Sequence, residues 1–324
     1  MEIPSGKGFF IEYVDHVGNG DWGSVIPTGQ NMNIKWLAVR IMVGKTPANI
    51  RGAGVLSKDY AANLKVKCDR ENIKLFGYLD FNSEDKFDQQ ASKTIERLKT
   101  LGLAGLIIHP IVPSKKLGDF FMVLDHSGFS LGLMSDLIPS DYRSPNIVAS
   151  SVDYYMPYKV WGKGGSPTGW VDMYIDYRKY SQNPVIPVAP ANTLNSWTPK
   201  STEIAAFVQR ASASGEDVPG VGFYKWDDKQ KTGVDYNIDL RRAVMNASWR
   251  SDTTTDTTSN GSSTTTGGSS PSTGTPTPIP PVVTPPVVTT PTTTTPPPSS
   301  MDLSFTQAKW EAVYKDYLSR NGKM

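Results

Sequence analysis

Five aspartates, Asp15, Asp80, Asp136, Asp227 and Asp228, stand at or just past the ends of short apolar runs. Carboxyl groups gathered at one mouth can exchange protons with a bound molecule if an apolar setting keeps one of them protonated. Tyr13, Tyr78, Tyr155, Tyr158, Tyr224 and Trp226 lie beside them in sequence and offer such walls. Asp80 is the first catalytic candidate, with Asp15, Asp136 and Asp227 as possible second members of a pair. The plainer role for each is to cap a helix or satisfy a loop just past a strand. Glu12 falls inside its run, where a buried charge needs a partner, and Arg40 on the next run supplies one.

The elements that must position these residues are eight apolar runs, most of them followed by a helical pattern. The runs are Gly8 to Asp15, Trp36 to Val43, Ile73 to Phe81, Ala104 to Val112, Phe129 to Asp136, Val152 to Trp161, Pro184 to Ala189 and Gly220 to Asp228. They are runs rather than strict alternations, as expected of parallel strands covered on both faces. Helical spacing is found over Ser57 to Glu71, Glu84 to Thr100, Trp170 to Ser181, Thr202 to Ser214 and Tyr236 to Trp249. The second of these places Phe87, Ala91, Ile95, Leu98 and Leu101 on one face, and Gly102 stops it. Asp21 to Asn33 and Lys115 to Ser127 hold prolines or glycines and are expected to carry only a helical turn or two. The fold class that follows is α/β, a (β/α)8 TIM-like barrel over residues 1–250, with its chemistry at the C-terminal ends of the strands.

Composition narrows the function classes. A 324-residue chain with 38% hydrophobic residues accommodates one such barrel and a remainder, and a formal net charge of +2 gives no field selecting nucleic acid or an anionic membrane. The single Cys68 excludes an intrachain disulfide framework and a multi-thiolate metal site, and its helical setting points to a structural role. The three histidines, His16, His109 and His126, show no metal-ligand spacing, so no metal or cofactor is expected. There is no phosphate-cradling glycine loop, no serine nucleophile elbow and no basic stripe. No apolar stretch approaches the roughly 20 residues that span a bilayer. The first residues, MEIPSGKGFF, lack the basic and apolar regions of a secretory leader, so the chain is expected to stay inside, to be a mature form whose leader has been removed, or to leave by lysis or within a virion, the last two being favoured.

Composition changes abruptly at Ser251. Residues 251–300 are almost wholly Thr, Pro, Ser, Gly and Val, which predicts a disordered linker, stiffer in its proline-rich second half. Residues 301–324 predict a short amphipathic helix in which Trp310, Val313, Tyr314, Tyr317 and Leu318 share a face over 303–319. That face suits docking to a protein partner or to a second copy, or packing back on the barrel.

The order YYMPYKVWG, NPVIPVAP, TPKSTEIAAFVQRA and GVGFYKW resembles the second half of glycoside-hydrolase-type barrels, in particular lysozyme-like proteins of bacteria and phages. GYLDFNSE, Gly77 to Glu84, resembles the third strand of that family and its turn into a helix. The resemblance covers the barrel and implies a carbohydrate ligand, peptidoglycan or another polysaccharide. Tyr13, Tyr78, His109, Tyr155, Tyr158, Trp161, Tyr224 and Trp226 would then contact the sugar. The chain departs from the family at the fourth strand, which related hydrolases end in an Asp-x-Glu pair. Here it reads LIIHPIV, with His109 at that position. Cleaving a glycosidic bond ordinarily takes two carboxyl groups about 5 to 9.5 Å apart. Two readings follow: a lysin-like hydrolase working through Asp80 and a second aspartate, or an inactive barrel that binds glycan or serves in a surface or virion structure.

Overall fold

The computed structural model describes residues 2–17, 22–51, 58–81, 87–111, 116–125, 127–135, 150–158, 161, 165–175, 182–191, 198–215, 217–226 and 238–250. Eight parallel strands form the barrel wall: β1 (Gly6–Ile11), β2 (Ile34–Val43), β6 (Lys74–Phe81), β7 (Gly105–Pro110), β8 (Ser130–Ser135), β9 (Tyr154–Pro157), β10 (Val188–Pro190) and β11 (Gly220–Tyr224). Three two-residue strands, β3 (Thr46–Pro47), β4 (Ile50–Arg51) and β5 (Lys58–Asp59), lie in the connection after β2. The hydrogen-bonded order is β10-β11-β1-β2-β6-β7-β8-β9. Parallel bridges Tyr155 to Val185 and Tyr158 to Val188 join β9 to β10 and close the ring. Prolines 184 and 187 lack an N–H for the ladder, so the wall is thinnest there.

Helices α1 (Val25–Asn31), α2 (Tyr60–Arg70), α3 (Phe87–Leu101), α4 (Leu117–Asp125), α5 (Pro167–Ile175), α6 (Ser201–Ser212) and α7 (Ile238–Asn246) occupy the connections. α4 is longer than its sequence promised. Leu117, Phe120, Phe121 and Leu124 are all buried, and that apolar stripe supports nine residues of helix. On α3 the expected face is the one that packs inward, with Ala91, Leu98 and Leu101 buried. Asp59 caps α2, accepting from the Ala62 N–H at 3.1 Å, and pairs with Arg97 of α3 at 2.8 Å, tying neighbouring helices together. Glu203 closes the start of α6 by accepting from the Lys200 N–H at 2.7 Å.

Residue parity along each strand splits the core in two. Phe9, Ile11, Leu37, Val39, Leu79 and Phe223 face the helices. Phe10, Trp36, Phe76, Tyr78, Met134, Tyr154 and Met156 fill the barrel. Trp36 and Tyr154 each lie against a glycine paired with them on the neighbouring strand. A Cβ on Gly8 would lie 2.0 Å from Trp36, and one on Gly132 would lie 2.2 Å from Tyr154. The interior is therefore a packed core that supports the mouth from below. α7, the last helix among the described residues, is fastened to β1 by Lys7, whose buried Nζ donates to the Val244 carbonyl at 3.2 Å and the Ala247 carbonyl at 2.8 Å. A cation suits the end of a helix, where carbonyls lack partners. Among the described residues no helix is long and apolar enough to cross a membrane.

Candidate functional site

The barrel-facing parity that carries Phe10, Ala38, Phe76 and Ile107 brings Glu12, Arg40, Asp80 and His109 to the mouth two or four residues later. Register agrees, since Arg40 pairs with Tyr78 across β2 and β6, and Asp80 pairs with His109 across β6 and β7. Arg40 is the hub. Its Nη1 lies 2.7 Å from Glu12 Oε1, and its Nη2 pairs with Asp80 Oδ2. The other oxygen of Asp80 lies 2.9 Å from His109 Nδ1, and the second oxygen of Glu12 accepts from Lys225 Nζ. Tyr13 OH stands 3.4 Å from Arg40 Nη1, and the guanidinium carbon lies 5.6 Å from the Tyr13 ring centre and 5.9 Å from that of Tyr78.

This network fixes charge states. Burial alone would raise the Asp80 carboxyl, but the His109 hydrogen bond and charge and the Arg40 guanidinium outweigh it and hold Asp80 below the ordinary carboxylate range. Burial also works against the charge on Arg40, and Tyr78, Asp80 and Glu12 more than compensate, so the guanidinium stays charged. Tyr78 and Tyr224 are pushed well above their ordinary value, chiefly by burial, and keep their protons. The site thus offers an ionised Asp80 and two protonated phenols. An apolar pocket holding a protonated carboxylic acid is a different arrangement.

Asn49 organises the mouth from behind, and sequence reasoning missed it. Its buried side chain accepts from the Val14 N–H at 2.8 Å and donates to the carbonyls of Glu12 at 3.1 Å and Arg40 at 2.8 Å. One amide therefore locks the ends of β1 and β2, and with them the positions of Glu12 and Arg40. Asn49 sits at φ 58, a region asparagine tolerates better than most residues. Lys225 was also missed: its run was read as strand through Asp228, whereas β11 ends at Tyr224 and Lys225 lies just past it.

The aromatic candidates divide. Tyr158 and Tyr224 are half-buried, 5.1 Å apart between ring centres, and stand 6.4 Å and 6.1 Å from the His109 ring. Tyr13 lines the same mouth beside Arg40, while Tyr78 lies beneath it, fully buried. Tyr155, Trp161 and Trp226, expected to contact a ligand, are buried in this structure. Tyr155 has the opposite parity to Tyr154 and Met156 and points into the shell under the helices. Trp161 stacks on Phe207 of α6 at 5.8 Å, and Trp226 packs on Phe9 at 5.5 Å, both buried. Apolar helix faces claim these rings before a ligand can. Asp15 sits half-buried in a 3-10 turn, Val14–His16, just past β1. Asp136, Asp227, Asp228 and residues 251–324 lie outside the described residues. No three His, Cys, Asp or Glu side chains among the described residues come together as metal ligands.

No protein-family model matches the chain, and no curated protein does. Solved structures do. Active domain 2 of a chitinase from Pyrococcus furiosus superposes with a TM-score of 0.52 at 9% identity, covering 75% of this chain and 94% of that one. A chitinase from Rhizomucor miehei gives a TM-score of 0.50 at 10% identity, covering 75% and 99%. At these identities the likeness is one of fold, a parallel α/β barrel of eight strands with helices in the connections.

Proposed function

We propose that the mouth of this barrel binds a carbohydrate and leaves its glycosidic bonds intact. One observation carries this reading: Glu12 and Asp80 are held on the two terminal nitrogens of a single guanidinium. A glycosidase needs one carboxyl protonated to serve the leaving oxygen and another ionised on the opposite side of the bond. At Asp80 the first requirement is opposed, because the His109 hydrogen bond and charge and the Arg40 guanidinium outweigh burial and keep that carboxyl ionised. The end of β7 adds no replacement, since His109, Pro110 and Ile111 stand there. What the mouth retains suits holding a sugar. Tyr13, Tyr158 and Tyr224 present partly exposed rings beside charged hydrogen-bonding groups, the combination of apolar wall and few polar anchors that ligand sites use.

Chitin is the first glycan to test, because the two structural neighbours described above are among those that are chitinases, and peptidoglycan is the second, because of the lysozyme-like sequence pattern. Cosedimentation of the full chain with each insoluble glycan, repeated with Tyr158→Ala and Tyr224→Ala, tests the reading. Retention that weakens in both variants is expected. Retention on neither glycan, or retention unchanged in both variants, would overturn it.

A further inference from the structure

Beyond holding a sugar, the mouth contains the parts of a proton shuttle. His109 Nδ1 is engaged by Asp80 at 2.9 Å, which leaves Nε2 as the nitrogen able to meet a bound molecule. Asp80 is itself fixed by Arg40, so the carboxylate that orients the imidazole is immobilised from its other side. Next to this imidazole stand Tyr224 and Tyr158, with ring centres 6.1 Å and 6.4 Å away. We propose that His109, positioned by Asp80, is the acid–base group of a hydrolysis of acyl esters carried on sugar hydroxyls, with the Tyr224 hydroxyl donating to the acyl oxygen. The sugar in this statement rests on the carbohydrate reading above, whereas the ester chemistry does not.

The choice of ester over glycosidic bond follows from the number of proton-handling groups. A glycosidic bond needs two carboxyl groups acting from opposite sides, and among the described residues the two that meet at the mouth, Glu12 and Asp80, hang on one guanidinium. An ester needs one base that takes a proton and returns it, together with a donor to the carbonyl oxygen. Water oxygen forms a bond to the acyl carbon while His109 Nε2 removes its proton. The tetrahedral centre then collapses, the bond from acyl carbon to sugar oxygen breaks, and the same proton passes from His109 to that oxygen. The products are a carboxylic acid and a free sugar hydroxyl, with no further reactant. Burial keeps the Tyr224 proton in place for donation. The other ionisable groups facing the pair are Arg40, Glu12, Lys225, Tyr78 and Tyr158. Asp80 is thus a positioning residue, and His109 is the group that would touch substrate.

The test uses the full chain with 4-nitrophenyl acetate and with an O-acetylated cell-wall glycan, measuring acetate release against a buffer blank. His109→Gln should lower the rate by about 100-fold or more. Asp80→Asn should lower kcat with little change in KM. To separate chemistry from folding, the native protein is also treated with diethyl pyrocarbonate, and the fraction of His109 carrying the adduct should track the fraction of activity lost. Acetate release equal to the blank, or activity indifferent to His109→Gln and to the adduct, would overturn the proposal. Acetate release without retention on any glycan would remove the sugar and leave the shuttle. Glycan retention without acetate release would remove the shuttle and leave the binding function.

Discussion

Replacing Arg40 with methionine removes the one group that both mouth carboxylates share. Methionine follows much of the arginine stem in volume, so the main loss is charge and hydrogen bonding. Breaking a buried ion pair from one side costs about 3 to 5 kcal/mol, because the partner is left buried and uncompensated. Here Glu12 keeps Lys225 and Asp80 keeps His109, which places the expected loss near the lower end, about 3 kcal/mol. For a barrel of this size that corresponds to a fall in Tm of about 6 to 12 °C. The sign with pH is fixed by Asp80. Its folded pKa lies below its unfolded value of 3.8, so the stability it contributes is present above that value and is lost as pH falls through the folded one. Removing Arg40 takes away part of that depression. The difference between wild type and variant should be full at pH 7 and narrow below about pH 4. Urea denaturation followed by tryptophan fluorescence at both pH values measures it. A variant as stable as wild type at pH 7, or a deficit of equal size at both, would refute the assignment of Arg40 as hub.

Lys7→Met should cost about 2 kcal/mol, since two carbonyls at the end of α7 lose a charged donor, and thermal melts will show it. Gly132→Ala should cost about 1 to 3 kcal/mol by overpacking against Tyr154, and an unchanged urea midpoint would contradict the packing described. Cys68 is buried, and burial, with Asp69 adding to it, pushes its thiol up to about 12. Native protein should therefore resist a thiol reagent at pH 8 and react on addition of urea, whereas rapid labelling of the native chain would place Cys68 elsewhere.

Much of the barrel was legible because buried parallel strands leave continuous apolar runs, and all eight runs contain wall residues. Their ends were not legible. The run through Asp15 stops as a strand at Ile11, and the run through Trp161 stops at Pro157, because an apolar loop residue reads the same as an apolar strand residue. Glu12 and Arg40 were readable as a pair, since two opposite charges in neighbouring apolar runs have few other partners, and they meet at 2.7 Å although Glu12 lies just past the end of β1. Tyr155 could have been excluded by parity, as it alternates with Tyr154 and Met156. Trp226 could not, because it shares parity with Tyr224 and turns outward only after β11 has ended. Asn49 acts through side-chain bonds that reach 35 and 37 residues back along the chain, and local patterning carries no trace of such contacts.

The measurement that bears most directly on the account is the appearance of new reducing ends when the full chain is incubated with chitin and with peptidoglycan from pH 3 to pH 8. Carboxylates paired on Arg40 predict none above the protein-free control at any pH, even where the glycan is retained. New reducing ends that disappear in Asp80→Asn or Glu12→Gln would contradict it, and would make this barrel a glycosidase that uses its mouth carboxylates despite their shared cation.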